Sequence, residues 1–197
     1  MTTITSPHAR AASESSRWRT VDIVVVAILA VAFGVVFYAW NAYVWVWLGW
    51  LGQPWEYAIS GMWLMPAVVA PLIVRKPGAA LFAEMVAAIV SVVLGSQWGL
   101  DTLLSGFVQG AGAELVFGFV MYRNFSVIVA FIAGAGAGLG EALHDIPVYF
   151  ATYSANLQFG IAALEIISGA AIAGVGGWLL VRSLRRTGAL QAFPSRE

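Results

Sequence analysis

Long apolar stretches, each interrupted by a few polar residues, make up most of the 197-residue sequence. A helix that crosses a bilayer needs about 20 mostly apolar residues. Six stretches are close to this length, and the connectors between them are short. The pattern therefore predicts an all-α integral membrane protein of six transmembrane helices, with almost nothing outside the bilayer. The predicted spans are residues 21–46, 57–74, 77–96, 102–122, 125–149 and 157–181.

Composition agrees with a membrane protein and excludes several other classes. Only 10% of the residues are charged, whereas soluble domains carry about 25%. The net charge is zero, which disfavours nucleic acid as a partner. The absence of cysteine excludes a disulfide framework and a thiolate metal site. No phosphate-binding loop or catalytic motif occurs, so we expect neither an enzyme nor a bound cofactor.

The basic residues predict how the protein is oriented in the membrane. All ten lysines and arginines fall before the first span, in the connectors after the second and fourth, or after the sixth. The three opposite connectors carry only Glu56 and Asp101 as charges. By the positive-inside rule, both termini are cytoplasmic in the cell membrane. We thus predict a cytoplasmic tail (1–19), a six-helix substrate-binding domain (20–182) and a second cytoplasmic tail (183–197).

Tryptophan is concentrated towards the predicted outer side. Interfacial aromatic belts account for single tryptophans at either face. Six on one side are more than a belt requires, and they suggest an aromatic cap that closes over a flat, ring-shaped ligand. These residues are Trp40, Trp45, Trp47, Trp50, Trp55 and Trp98.

Five acids lie well inside the predicted spans, and no basic residue does. An acid at the bilayer centre costs roughly 2–3 kcal/mol, so such residues usually face a cavity, a partner or a transport pathway. In the fifth span an acidic and aromatic face repeats at three- and four-residue steps. An excess of carboxylates favours a cationic ligand or a proton pathway. The acids are Glu84, Glu114, Glu141, Asp145 and Glu165.

His144 lies on the same helical face as Glu141, Asp145 and Tyr149. A lone histidine among acids is more often a hydrogen-bond partner than a metal ligand. One histidine without any cysteine is weak support for a metal site, so we predict none.

Small residues at four-residue spacing, such as Ala30 and Gly34, allow two helices to approach closely in lipid. Most pairs of this kind serve packing within one chain. The first span could instead offer its small-residue face to another membrane subunit, and the sequence leaves both alternatives open.

Two motifs resemble the YkoE family, the substrate-binding S components of energy-coupling factor (ECF) transporters. They are RKPGAALFAEMVAAIVSVVLGSQWG at 75–99 and QGAGAELVF at 109–117, and the resemblance extends over nearly all six spans. It implies an S-component fold with its site on the outer side, and thiamine or its hydroxymethylpyrimidine precursor as ligand. It also implies a membrane T component and cytoplasmic ATPases as partners. Docking to them would use small residues of the first helix, here Ala27, Ala30 and Gly34.

The resemblance assigns Glu84 and Glu114 first, because both lie within the matching motifs, and it also places an acid at Asp145. Glu141 and Tyr149 rest on helical geometry alone. At Glu165 the sequence departs from the family pattern, in which a basic residue often precedes IISGA, so Glu165 is left out of the predicted site. The predicted ligand-binding residues are Trp63, Glu84, Gln97, Trp98, Gln109, Glu114, Glu141, Asp145 and Tyr149.

The favoured hypothesis is a non-catalytic binding subunit of an ATP-driven vitamin importer. An alternative is an autonomous, proton-coupled secondary transporter of a small cationic solute, with the buried acids as a proton relay. A membrane enzyme acting on lipids would usually need paired acids and a divalent metal near the interface, and no such cluster stands out in the sequence.

Overall fold

The computed structural model describes residues 17–193, and no strand occurs among them. The α-helices are α1 (Thr20–Ala39), α2 (Met65–Val74), α3 (Ala79–Val93), α4 (Asp101–Phe119), α5 (Val127–Tyr149), α6 (Ala155–Ser168) and α7 (Gly177–Arg186). α1 continues through a π-helical segment (Trp40–Trp45), an α-turn (Val46–Leu48) and a 3₁₀ turn (Gly49–Leu51). A 3₁₀ helix (Trp55–Met62) precedes α2, and a π-helical segment (Gly169–Gly176) joins α6 to α7.

Helices occupy all six predicted spans, and the all-α prediction is confirmed. Five continuous helical stretches are long and apolar enough to cross a membrane. The third predicted span forms α3, which is apolar but has only 15 residues. It is short because Gly78 and Gly95, with φ of +84° and +100°, break the helical backbone on either side. The five longer stretches are Thr20–Leu51, Trp55–Val74, Asp101–Phe119, Val127–Tyr149 and Ala155–Arg186.

The basic connectors meet at one end of the bundle. Here the Trp18 indole N–H donates to the Pro77 carbonyl over 2.9 Å. The Arg185 guanidinium donates to the Leu72 carbonyl over 3.0 Å. The guanidinium of Arg75 lies 5.0 Å from the centre of the Phe125 ring. We call this the basic end.

Aromatic side chains meet at the other end, which we call the aromatic end. Ring centroids lie 5.3 Å apart for Trp45 and Tyr57, 5.6 Å for Tyr57 and Phe150, and 6.4 Å for Trp45 and Trp98. The two ends therefore differ as the alternating connectors predicted. Which of them faces the cytoplasm stays a prediction.

The two predicted tails are only partly described. Of residues 1–19, only 17–19 fall within the described part of the chain. At the other terminus, α7 continues to Arg186, beyond the predicted boundary at residue 182. Leu190 and Phe193 are then buried against the bundle, with 9% and 7% of their surface exposed. The segment from 183 to 193 therefore packs on the membrane domain through these apolar side chains. Its place on the cytoplasmic side stays a prediction.

Glycines bring α5 into backbone contact with the helices on either side. A Cβ atom at Gly112 of α4 would lie 2.2 Å from the carbonyl oxygen of Gly136. One at Gly138 of α5 would lie 2.4 Å from the carbonyl oxygen of Glu165 in α6. A Cβ atom would clash at both positions, so only glycine, which carries hydrogen in its place, permits this close packing. As a result, acids carried by α5 and α6 are neighbours.

The three predicted docking residues on α1 differ in exposure, and their role in docking stays a prediction. Ala30 has no exposed surface, and a Cβ atom at Gly34 would lie 2.5 Å from the Cβ of Val90 in α3. Both small residues thus serve packing within the chain, the alternative that the spacing left open. Of the three predicted docking residues, only Ala27 has a partly exposed side. The outer face of α1 carries larger side chains such as Ile28 and Val35, which are 66% and 50% exposed.

Candidate functional site

A cavity of about 290 Å³ extends from the aromatic end into the bundle. Ligand pockets for small molecules range from roughly 300 to 1,000 Å³, so this cavity suits a small ligand. Eight of the nine predicted site residues line it, although they come from separate elements. They are Trp63, Glu84, Gln97, Trp98, Gln109, Glu141, Asp145 and Tyr149.

Three indole rings form one wall of the cavity. Trp63 lies between the other two, with ring centroids 4.6 Å from Trp45 and 5.4 Å from Trp98. Its indole N–H donates to Oδ1 of Asn41 over 2.9 Å, which fixes the ring plane. Asn41 and Trp45 both belong to the π-helical segment that extends α1. Such π-helical turns are frequent at functional sites, and here the segment directs both side chains towards the cavity.

Buried polar groups lie deep in the cavity. Glu84 is 1% exposed, and its Oε2 accepts the backbone N–H of Ala67 over 3.0 Å. Glu141 is equally buried on the opposite helix, α5. Between them in the lining, the Gln109 amide donates to the Ser105 hydroxyl over 2.8 Å. A ligand that reaches this depth meets carboxylate and amide groups that are shielded from water.

A hydrogen-bonded cluster joins α4 to α5 near the mouth of the cavity. His144 Nδ1 lies 2.7 Å from Oδ1 of Asp145, and Nε2 lies 3.3 Å from Oδ1 of Asp101. The Tyr149 hydroxyl donates to the other oxygen of Asp101. Both ring nitrogens of His144 are therefore engaged by carboxylates. This geometry agrees with the interpretation of His144 as a hydrogen-bond partner.

The cavity lining is acidic. Five carboxylates contribute to it, and no lysine or arginine among the described residues does. Carboxylates without a nearby cation attract a positively charged or hydrogen-bond-donating ligand. The acids of the lining are Glu56, Glu84, Asp101, Glu141 and Asp145.

Glu114 does not line this cavity, and a role for it in ligand binding stays a prediction. Its carboxylate lies at the basic end, where it accepts the backbone N–H groups of Gly78 over 2.6 Å and Ala80 over 2.9 Å. It also accepts that of Leu81 over 3.3 Å and the Tyr122 hydroxyl over 2.5 Å. Glycine at position 78 offers no side chain to cap α3, so Glu114 of α4 caps it instead. The family motif that contains Glu114 thus marks a structural contact.

Burial, together with the hydrogen bond to Glu114, raises the pKa of the Tyr122 hydroxyl above its usual value. The phenol therefore stays protonated, and stays a donor to Glu114, throughout the physiological pH range.

Several lining residues were not predicted. Trp45, Tyr57 and Phe150 are aromatic side chains at helix ends, and Asn41 lies in the outer part of the first span. Trp45 belongs to the tryptophan cluster that indicated an aromatic cap, so that signal was available. Asp101 was assigned to a connector, although it begins α4.

Glu165 was excluded because it departs from the family pattern, yet it lies beside two predicted residues. One carboxylate oxygen each of Glu141, Asp145 and Glu165 lies within 4.8 Å of the others. Sequence distance hides this group, because α5 and α6 come together only through the glycine contact at Gly138.

Comparisons with known proteins agree with the fold. The family model described as the permease component of an ABC-type cobalt transport system matches residues 21–140. The Bacillus subtilis (strain 168) protein YkoE, named as an HMP/thiamine permease protein, is 34% identical over 177 residues, which cover 89% of each chain. A crystal structure of an S component of an ECF transporter superposes with a TM-score of 0.85 at 33% identity, over 89% of this chain and 90% of that one. The chain therefore belongs to the YkoE family of membrane transport proteins and has the fold of an ECF-transporter S component.

Proposed function

We propose that this protein is the substrate-binding subunit of an ATP-driven ECF importer and that it captures thiamine or hydroxymethylpyrimidine. The observation that carries the proposal is a cavity that combines buried carboxylates with a wall of three indole rings, and that no lysine or arginine from the described part of the chain lines. The name of the B. subtilis relative supports the same ligands.

The cavity and the proposed ligands are chemically complementary. Thiamine is a cation with two flat rings, and hydroxymethylpyrimidine is one flat ring with an exocyclic amine. Flat rings pack against Trp45, Trp63 and Trp98, and an indole face also attracts a cation. The carboxylates of Glu84 and Glu141 accept hydrogen bonds from an amine and offset a positive charge.

The proposal includes an orientation and partners. With the basic end in the cytoplasm, the cavity opens to the outside of the cell, where a vitamin is captured. The chain carries no phosphate-binding loop, so cytoplasmic ATPases would supply the energy and a membrane T component would transmit it. The S-component fold supports this division of labour.

The description of the family model names cobalt, and the cavity favours a vitamin instead. Cobalt binds well to imidazole and thiolate ligands. This chain has no cysteine, and both nitrogens of His144 are already engaged by Asp145 and Asp101. A cavity of about 290 Å³ walled by indole rings is also far larger than a bare ion requires.

The proposal is tested by titrating the detergent-purified full-length protein with each ligand while recording tryptophan fluorescence. We expect saturable quenching at submicromolar concentration for at least one ligand, because indole rings line the cavity. Glu84→Gln replaces a buried carboxyl group of the cavity lining and should weaken binding by about tenfold or more. Glu84→Asp keeps a carboxyl group and should weaken it less.

Tryptophan variants show where the fluorescence signal arises. Trp63→Phe and Trp98→Phe should each reduce the amplitude of quenching. Trp178→Phe should leave it unchanged, because that ring lies at the basic end beside Arg182. No response to either ligand, together with proton-dependent uptake of another solute by the chain alone, would favour the autonomous transporter.

A further inference from the structure

Two buried acids and one half-buried acid form a group, and one of them, Glu165, lies outside the cavity lining and has no part in the proposed ligand capture. One carboxylate oxygen each of Glu141, Asp145 and Glu165 lies within 4.8 Å of the others. Glu165 has no exposed surface, and neither of its carboxylate oxygens has a hydrogen-bond partner among residues 17–193. Within the same range, Oε2 of Glu141 is also buried without a partner. We call these three residues the carboxylate triad.

The helix packing holds the triad together. Glu141 and Asp145 are four residues apart and share one face of α5. That face meets α6 where Gly138 approaches the backbone of Glu165, with only 2.4 Å between an added Cβ and the Glu165 carbonyl oxygen. The separation of the acids is therefore set by backbone contact, and the carboxylates cannot move far apart without separating the helices.

The carboxylate oxygens without hydrogen-bond partners indicate that a positively charged group binds between the three acids. Leaving buried carboxylates without partners is costly, and like charges at this distance add to the cost. The nearest positive candidate is His144, which lies against Asp145 and Asp101. Its two ring nitrogens are already engaged by Asp145 and Asp101, so His144 offers no further nitrogen to Glu165.

The spacing suits a metal ion that prefers oxygen ligands. Since every pair of oxygens is within 4.8 Å, a point between them lies at most about 2.8 Å from all three. Small side-chain adjustments reach the Ca²⁺–oxygen distance of roughly 2.3–2.6 Å. Carboxylate oxygen ligands suit Ca²⁺, Mg²⁺ and Mn²⁺, and the group offers none of the imidazole or thiolate ligands that softer transition metals prefer.

We propose that Glu141, Asp145 and Glu165 bind one divalent cation of this oxygen-preferring class behind the wall of the cavity. Glu141 and Asp145 line the cavity and Glu165 does not, so the ion would enter through the cavity and reach Glu165 last. The ion would hold α5 against α6. The proposal does not depend on the identity of the transported vitamin.

The test uses the full-length protein in detergent, treated with a chelator and free of any vitamin. Mn²⁺ is titrated while electron paramagnetic resonance measures the unbound ion. We expect one saturable Mn²⁺ per chain, displaced by Ca²⁺ and not by Na⁺. Glu165→Gln and, separately, Asp145→Asn should each weaken Mn²⁺ binding by at least about tenfold. Glu56→Gln, which changes a cavity acid outside the triad, should leave it unchanged.

Thermal unfolding of each variant shows whether it is folded, and two triad variants keep the test informative if one fails to fold. Absence of saturable Mn²⁺ binding in the unmodified protein would overturn the proposal and leave protons shared among the three carboxyls. Equal Mn²⁺ binding by a folded Glu165→Gln variant would overturn it as well. Vitamin binding is measured separately, so failure of the proposed function would not be confused with failure of the cation site.

Discussion

Gly112→Ala is expected to lower the thermal stability of the protein strongly. The new methyl group would lie 2.2 Å from the carbonyl oxygen of Gly136, far inside the contact distance of a carbon and an oxygen atom. Because the obstacle is backbone, no side-chain rotation relieves the clash, and α4 and α5 must separate. Overpacking of this kind costs about 1–3 kcal/mol or more. Differential scanning fluorimetry of the detergent-purified protein measures the loss.

The same helix offers a matched control for this variant. At Gly118 the nearest atom to an added Cβ is the Tyr122 hydroxyl oxygen, 3.6 Å away. Gly118→Ala should therefore be neutral or slightly stabilising, since alanine favours helix more than glycine by roughly 1 kcal/mol. If Gly112→Ala unfolded at the same temperature as the unmodified protein, the close α4–α5 packing would be wrong.

Glu114→Ala is expected to destabilise the basic end while leaving ligand affinity intact. The change leaves the backbone N–H groups of Gly78, Ala80 and Leu81 without their acceptor, together with the Tyr122 hydroxyl. Hydrogen bonds to a charged acceptor are worth about 1.5–3 kcal/mol each. Water replaces some of them, so the net loss should be roughly 2–5 kcal/mol and is measured by thermal unfolding.

Two comparisons separate this capping role from a role in binding. Tyr122→Phe removes one of the four hydrogen bonds and should cost less stability than Glu114→Ala. The dissociation constant for thiamine, measured on the folded fraction, should be the same for Glu114→Ala as for the unmodified protein. A weaker affinity without a loss of stability would return Glu114 to the binding site that the sequence predicted.

The helical segments were predictable because their signal is local. Hydrophobic stretches long enough for a membrane mark each helix, and the all-α prediction followed from them. The length of α3 was harder to predict, because it depends on glycines at 78 and 95 that adopt positive φ. Hydropathy does not detect such backbone conformations, so the predicted third span was longer than the helix.

The acids were recognisable in the sequence, but their partners were not. Burying a carboxylate in a membrane is costly, so an acid within an apolar span is noticeable even when the orientation of its side chain is unknown. This applies to Glu84, Glu114, Glu141, Asp145 and Glu165. Whether each meets a ligand, a helix terminus or another acid depends on residues far away in the chain. Glu114 accepts the backbone N–H of Gly78, and Glu165 lies beside α5 because Gly138 allows the two helices to approach.

The sequence by itself determined that this is a helical membrane protein with basic and aromatic connectors on opposite sides and acids inside its spans. These properties follow from the composition of single segments. In a bilayer each spanning segment must satisfy its own backbone hydrogen bonds, and a helix does so without other segments. Only the tertiary structure decided which acids line the cavity, which one caps α3 and that Ala30 and Gly34 pack inside the bundle. The reason is that helix rotation and spacing are set by backbone contacts at glycines, and each contact involves two helices at once.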